Sequence, residues 1–195
     1  MSKTILHVSE LNVAGTDGRA ITDVNLDVRE GEIHVLIGKK GSGKNLVFEA
    51  LSGISPNVTG KVLYNNKSIN LNNNFKGCNE IASVPRHPHL INNLSATENL
   101  FLFTYYERSP VHVIRWSRMH KEASKILGRY ALNINPRAKV SLLSTEERKI
   151  LELAKFELAN SQVTIFYEPT DDLGLNSIDR FHQSLLKRKS EGKSF

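Results

Sequence analysis

A glycine-rich stretch at residues 38–45 constrains the fold and chemistry of this chain more than any other feature. It reads G-K-K-G-S-G-K-N and lies between an apolar run at residues 33–37 and an amphipathic segment at residues 46–51. This order predicts a strand, a loop and a helix, in which bare backbone N–H groups and the positive helix end converge on a phosphate. The stretch fits the pattern G-x-x-x-x-G-K-[ST] except at Asn45, which replaces the hydroxyl residue that holds Mg²⁺. The loop is therefore predicted to bind a nucleotide, and Asn45 argues against metal-assisted catalysis.

Size and composition indicate a domain large enough to bury a core. The chain has 195 residues, of which 39% are hydrophobic and 24% charged. No apolar run approaches the roughly 20 residues of a membrane-spanning helix, and the N-terminus lacks the apolar core of a signal peptide. We therefore expect a cytoplasmic protein.

Lysine and arginine are scattered along the chain despite its net charge of +6, so no nucleic-acid partner is expected. The histidine spacings match no common zinc pattern, and no metal site is predicted.

Hydrophobic periodicity predicts the strands. Near-alternating apolar residues at 5–13 and 20–28 predict two antiparallel strands joined by a turn. The continuous apolar run at residues 33–37 predicts a strand covered on both faces. Further strands are predicted within residues 57–64, 80–85 and 163–167, and the polar residues 65–79 are predicted to form a surface loop.

Helical patterns dominate the second half of the chain. Ser95 and Glu98 form a capping-box sequence, and helical spacing follows as far as residue 130. Other helices are predicted at about residues 145–158, after Ser144, and at residues 177–190. The sequence therefore predicts an α/β fold with a mostly parallel sheet, antiparallel N-terminal strands and a helical subdomain inserted at approximately residues 95–145.

Several phrases of the sequence occur in the same order in one protein family. They are residues 24–34, residues 51–53 with 59–61, residues 81–85 followed by 92–102, and residues 168–170. With the glycine loop, they resemble the nucleotide-binding domain of ATP-binding cassette transporters, most closely the ATPase subunits of bacterial importers of ribose, xylose and galactosides. The resemblance covers nearly the whole chain. It implies a P-loop NTPase-type fold, ATP or ADP as ligand, and a second such domain and a membrane permease as partners.

The resemblance assigns nucleotide binding to the loop. The residues concerned are Gly38, Gly41, Ser42, Gly43, Lys44 and Asn45. Lys44 matches the lysine that neutralises the β and γ phosphates. Asn45 offers an amide oxygen to Mg²⁺, which is a weaker and differently placed ligand than a hydroxyl. Tyr167 stands where the family has an aspartate, and a phenol that is neutral at pH 7 cannot replace that carboxylate. These departures argue against Mg²⁺.

Two further matches concern hydrolysis. Glu168 matches the family's general base for the attacking water. Arg86 replaces the glutamine that links metal, water and the transmembrane partner, so a cation there disfavours Mg²⁺ and could instead neutralise the γ phosphate. Asp171 and Asp172 follow in a segment that is either the family's inter-subunit loop or a solvated turn.

The family signature that clamps the γ phosphate from the opposite subunit aligns with residues 142–147. Ser144 is a candidate phosphate contact there, or a plain helix cap. Glu146 replaces a glycine and would bring negative charge towards an anion where close backbone approach is required. In the family, one more core strand and then a switch histidine follow the last predicted helix. The sequence is expected to end before both of them.

Three functions fit these observations. The leading one is a degenerate ATP-binding domain that binds nucleotide and hydrolyses it weakly or not at all. The second is one half of an active tandem sugar-importer ATPase, and the third is a nucleotide-responsive or dimerising module of a regulatory protein. A loop retained without any ligand is the further alternative.

Overall fold

The computed structural model describes residues 3–16, 18–70, 81–102, 115–130, 133–158 and 161–195, except for the side chain of residue 157. The chain divides into two compact units. The first, here called the sheet unit, comprises Met1–Ser83, Ser161–Tyr167 and Leu185–Phe195. The second, the helical unit, comprises Val84–Asn160 and Glu168–Ser184.

An antiparallel sheet forms most of the sheet unit. Its strand order is β2-β1-β3-β4, with β1 at Thr4–Ala14, β2 at Ala20–Arg29, β3 at Val58–Tyr64 and β4 at Lys67–Ile69. Val8 lies opposite Leu26 on one side and Val62 on the other, and it is fully buried. The two predicted N-terminal strands and their antiparallel pairing are confirmed. β4 falls in the predicted polar loop, of which residues 71–80 lie outside the described residues.

The helix after the glycine loop, α1, spans Lys44–Leu51 and packs on β1 and on a later strand, β6. A second, two-stranded sheet joins β5, Ile81–Val84, to β6, Val163–Phe166. Val163 also forms a parallel bridge with Ser194. The predicted α1 and the strands predicted near residues 80–85 and 163–167 are confirmed.

The predicted buried strand at residues 33–37 is wrong. These residues form no strand, and the exposed fractions of Val35, Leu36 and Ile37 are 68%, 48% and 86%. The main chain pairs with Phe195 through the carbonyl of Glu32 and the N–H of His34. Within the described ranges, no strand pairs with residues 35–37. An apolar run becomes a buried strand only where neighbouring strands and helices cover it, and that cover is a non-local property.

Helices form the core of the helical unit. They are α2 at Ala96–Phe101, α3 at Trp116–Leu127 and α4 at Thr145–Leu158, which pack on one another, and α5 at Leu175–Ser190, whose last turns belong to the sheet unit. A 3-10 turn at Val140–Leu142 precedes α4. The predicted helices are confirmed, although the predicted helical residues 103–114 lie outside the described residues. No helix in the described part of the chain is long and apolar enough to cross a membrane. The helical insertion at 95–145 stays a prediction.

Candidate functional site

The glycine loop of the sheet unit has the backbone conformation that its sequence requires. Gly41 and Gly43 have φ angles of +84° and +87°, in the left-handed region that glycine adopts without steric cost. Gly43 is also the N-cap of α1, which has no side-chain cap and no acidic residue in its first turn. Uncapped N–H groups at a helix start, without a nearby carboxylate, favour an anion. The loop can therefore hold phosphate through its backbone.

Gly43 has a second reason to be glycine. A Cβ atom at this position would overlap Cγ2 of Ile21 in β2. The β1–β2 hairpin therefore packs directly against the start of α1, and only a residue without a side chain fits between them. The contact of Ile21 with the loop was not predicted from the sequence. The pattern indicated only that Ile21 is an apolar residue of an alternating strand.

The Lys44 ammonium is already oriented within the loop. Its Nζ donates to the carbonyl oxygens of Gly38 at 2.6 Å and Lys39 at 3.2 Å, and the N–H of Ser42 donates to the same Lys39 carbonyl at 3.1 Å. These bonds hold the charge against the loop backbone. A bound phosphate oxygen would compete with the two carbonyls for the ammonium, and the charge-assisted bond favours the phosphate.

Two of the three residues predicted to weaken a metal site, Asn45 and Tyr167, also lie in the sheet unit. The Asn45 amide nitrogen donates to Oε1 of Glu49, one turn along α1, at 3.3 Å. The Tyr167 ring stacks on Phe48, with centroids 5.5 Å apart and the planes at 26°. Neither residue supplies the group expected at its position, which is a hydroxyl at Asn45 and a carboxylate at Tyr167. Among the described residues, no group of three or more histidine, cysteine, aspartate or glutamate side chains could hold a metal ion.

In the helical unit, Arg86 binds the carboxylate predicted to act as the general base. Its Nη1 lies 3.0 Å from Oε2 of Glu168, and its Nη2 lies 2.8 Å from Oδ2 of Asp171. From the sequence, Arg86 was expected to face a metal site or a γ phosphate, and its ion pairs with Glu168 and Asp171 were not predicted. One guanidinium thus bridges two carboxylates. We call Arg86, Glu168 and Asp171 the arginine cluster.

A buried lysine supports the arginine cluster. The Lys149 side chain in α4 is only 1% exposed, and its Nζ donates to the carbonyl oxygens of Arg86 at 2.6 Å and Glu168 at 3.2 Å. Glu168 has a φ of +45°, an uncommon conformation for a residue with a side chain. Burial lowers the pKa of Lys149, while the charges of Asp171 and Asp172 oppose that effect. Lys149 therefore fixes the main chain at both ends of the Arg86–Glu168 pair.

Sequence analysis did not single out Lys149. Nearly every neighbouring residue on α4 is also buried, including Ile150, Leu151 and Leu153. A helix buried on several sides shows no clear polar face, so its spacing gave no signal that a lysine lies inside.

Ser144 and Glu146 are both engaged within the helical unit. Ser144 Oγ accepts from the N–H of Glu147 at 3.2 Å, and the Ser144 N–H donates to Oε2 of Glu147 at 2.8 Å. Ser144 is therefore a helix cap, as its simpler interpretation predicted. Oε1 of Glu146 accepts from the N–H of Gly174 and from the Ser177 hydroxyl, both at 2.8 Å. Its carboxylate thus lies at the start of α5.

The sequence matches the family model described as "ABC transporter" over residues 21–171. Among curated proteins, it is 32% identical to the xylose import ATP-binding protein XylG of Geobacillus kaustophilus, over 89% of this chain and 35% of that protein. It is 28% identical to the galactose/methyl galactoside import ATP-binding protein MglA of Escherichia coli, over 96% of this chain and 37% of that protein. The chain thus spans little more than a third of these relatives.

Solved structures show the same fold. The ADP conformation of an ATP-binding cassette of an ABC transporter matches over 100% of this chain and 80% of that chain, with a TM-score of 0.75 and 20% identity. A dimeric ATP-binding cassette in a post-hydrolysis state, bound to ADP and Pi, covers 97% of this chain and 85% of that one, with a TM-score of 0.79 and 22% identity. The predicted P-loop NTPase-type fold and the family resemblance are both confirmed. The chain belongs to the ABC transporter family of ATP-binding domains and is related to the ATP-binding subunits of sugar importers.

Proposed function

We propose that this chain binds ATP or ADP at the glycine loop and hydrolyses it weakly or not at all. The binding residues are Gly38, Gly41, Ser42, Gly43, Lys44 and Asn45. The left-handed glycines, the uncapped start of α1 and the Lys44 ammonium support this role. All three favour a phosphate through charge and backbone N–H groups, which need no metal ion.

The observation that carries the proposal of weak hydrolysis is the contact between Arg86 and Glu168. The carboxylate oxygen that would accept a proton from water lies 3.0 Å from the guanidinium. A general base must reach the proton that it removes, and the guanidinium already occupies one side of this oxygen. Asp171, on the other side of the same guanidinium, holds Arg86 in place at 2.8 Å.

The residues of the sheet unit support a site that depends little on Mg²⁺. Asn45 is bonded along its own helix to Glu49, and Tyr167 is stacked on Phe48. Magnesium prefers oxygen ligands in octahedral geometry and is usually held by carboxylates together with phosphates. The chain supplies a tyrosine where the family resemblance calls for a carboxylate.

Phosphate release from ATP tests the proposal when ATP binding is measured on the same samples. We expect the wild-type chain to bind ATP and release phosphate at a rate near background. Arg86→Gln frees the Glu168 carboxylate and should raise the rate several-fold, whereas Arg86→Gln combined with Glu168→Gln should return it to background. Steady turnover by the wild type that Glu168→Gln abolishes would contradict weak hydrolysis, and the absence of ATP binding would contradict the whole proposal.

A second candidate function is one half of an active tandem importer ATPase. The similarity to the xylose and galactoside import proteins, of which this chain spans 35% and 37%, favours it. In that case a second ABC-type domain completes the site and a membrane permease holds the assembly at the cytoplasmic face of the membrane. Phosphate release per mole of chain that rises with chain concentration would favour this function over the first.

A further inference from the structure

An open cavity of about 470 Å³ lies in the helical unit and involves none of the residues assigned to the nucleotide. One wall is a single face of α3, formed by Ser117, His120, Lys121 and Ser124. Their spacing of three or four residues places them above one another on the helix. The loop at residues 135–137 forms the other wall. The volume falls within the range of small-molecule sites.

A buried threonine connects the two walls. Thr97 at the start of α2 is fully buried, and both its N–H and its hydroxyl donate to the carbonyl oxygen of Pro136 at 2.9 Å. The hydroxyl oxygen also lies 2.9 Å from Nδ1 of His120. In the tautomer that lets the Thr97 hydroxyl donate to Pro136, Nδ1 of His120 donates to Thr97 and Nε2 is left as an acceptor for a ligand hydroxyl. One side chain thus fixes both walls before any ligand binds.

The cavity lining carries positive charge without a carboxylate. Lys121 and Arg137 contribute cations, His120 contributes an imidazole, and the remaining described lining residues contribute hydroxyl, amide and proline groups. The carboxylate of Glu98, which interacts electrostatically with His120, accepts from the Ser95 N–H at 2.7 Å and the Ser95 hydroxyl at 2.6 Å. Glu98 is therefore occupied as a cap and does not line the cavity.

We propose that this cavity binds a small hydroxylated phosphate ester, as a second ligand site separate from the nucleotide loop. Lys121 and Arg137 would bind the phosphate, because cationic donors form the stronger, charge-assisted bonds to phosphate oxygens. Ser117, Ser124 and the Asn135 amide supply donors and acceptors for ligand hydroxyl groups. The cavity exceeds the size of inorganic phosphate, so the ester should bind more tightly than the free ion.

Amide chemical shifts recorded during titration with glucose 6-phosphate test this site in the full chain. A Lys44→Ala background removes phosphate binding at the glycine loop. Glucose and inorganic phosphate serve as comparison ligands. Lys121→Gln and Arg137→Gln each remove one charge from the lining, and Lys125→Gln removes one from an exposed position a turn further along α3.

We expect saturable shifts at Ser117, His120, Lys121 and Arg137, and an affinity about fivefold to tenfold lower in Lys121→Gln and Arg137→Gln but unchanged in Lys125→Gln. Shifts that do not saturate, that are equal for glucose, or that are equally strong in all variants would overturn the proposal. Tighter binding of inorganic phosphate than of the ester would overturn the assigned ligand class. None of these results depends on ATP binding at the glycine loop, which the Lys44→Ala variant tests separately.

Discussion

The glycine loop and the arginine cluster differ in the partners of their cationic side chains. In the loop, Lys44 donates to two backbone carbonyls, and the helix start beside it has no acidic neighbour in its first turn. In the cluster, Arg86 is paired with two carboxylates, one of them Glu168. The loop therefore presents positive charge to a ligand, while the guanidinium of the cluster is already paired with carboxylates of the same chain.

This difference indicates that binding and hydrolysis have different requirements within one domain. Phosphate binding needs backbone N–H groups and one cation, and the loop keeps both. Hydrolysis also needs a carboxylate that can accept a proton and, in this family, a metal ion held nearby. Under the proposed function, the departures from the family at Tyr167 and Arg86 affect the second set of requirements, so affinity for nucleotide can persist where turnover is weak.

The largest effect should come from removing the loop cation. Lys44→Ala eliminates the charge that would bind the β and γ phosphates, and we expect affinity for ATP to fall about a hundredfold. Lys40→Ala, which removes an exposed cation from the same loop, is the matched control and should change affinity little. Calorimetric titration measures both variants. Equal losses in the two would show that the loop acts through net charge and not through Lys44.

Two glycine variants test whether the loop conformation is fixed by packing. Gly43→Ala should lower the free energy of unfolding by about 3 kcal/mol, because it adds an overlap with Ile21 to the cost of a left-handed alanine. Gly41→Ala has a similar φ angle but no atom within 4 Å of the added Cβ, so about 1 kcal/mol is expected. Urea unfolding measures the difference. Equal losses would contradict the packing of β2 against the start of α1.

Removing Lys149 tests the support of the arginine cluster. Lys149→Met leaves the carbonyls of Arg86 and Glu168 without their donor, and the free energy of unfolding should fall by about 2 kcal/mol. The exposed Lys125→Met is the control and should cost less than about 0.5 kcal/mol.

The same pair of variants has a pH signature. The pKa of Lys149 lies below its ordinary value of 10.5 in the folded chain. At alkaline pH just below 10.5 the unfolded chain therefore binds more protons than the folded one, so this lysine makes stability rise with pH there. Lys149→Met should reduce that rise and Lys125→Met should not. An identical pH dependence in both variants would contradict the burial of the Lys149 ammonium.

Local sequence patterns predicted most of the fold but not the contacts on which the proposal of weak hydrolysis rests. The alternation in β1 and β2, the capping boxes at Ser95 and Ser144, and the glycine loop all follow from short-range rules, and the structure contains each of them. The run at residues 33–37 was assigned wrongly because its burial depends on distant chain segments. The hydrophobicity of a segment does not determine which other segments pack over it.

The residues of the candidate site were also predicted from local motifs, but their long-range contacts were not. The loop residues follow from their motif, and the family resemblance singled out Arg86 and Glu168 as altered and retained positions. Their ion pair, the second partner Asp171 and the buried Lys149 were not predictable, because they join residues as far apart as 86 and 171 in sequence. Pairings over such distances depend on the tertiary fold and have no local signature.

The most direct test of the central claim is calorimetric titration of ATP into the wild-type chain with Mg²⁺ and again with a chelator. The proposed function has the loop bind phosphate through Lys44 and backbone N–H groups, so we predict saturable binding in both conditions, with affinities that differ by less than about threefold. Binding that appears only with Mg²⁺, or that is absent in both conditions, would contradict a nucleotide site that works without its metal.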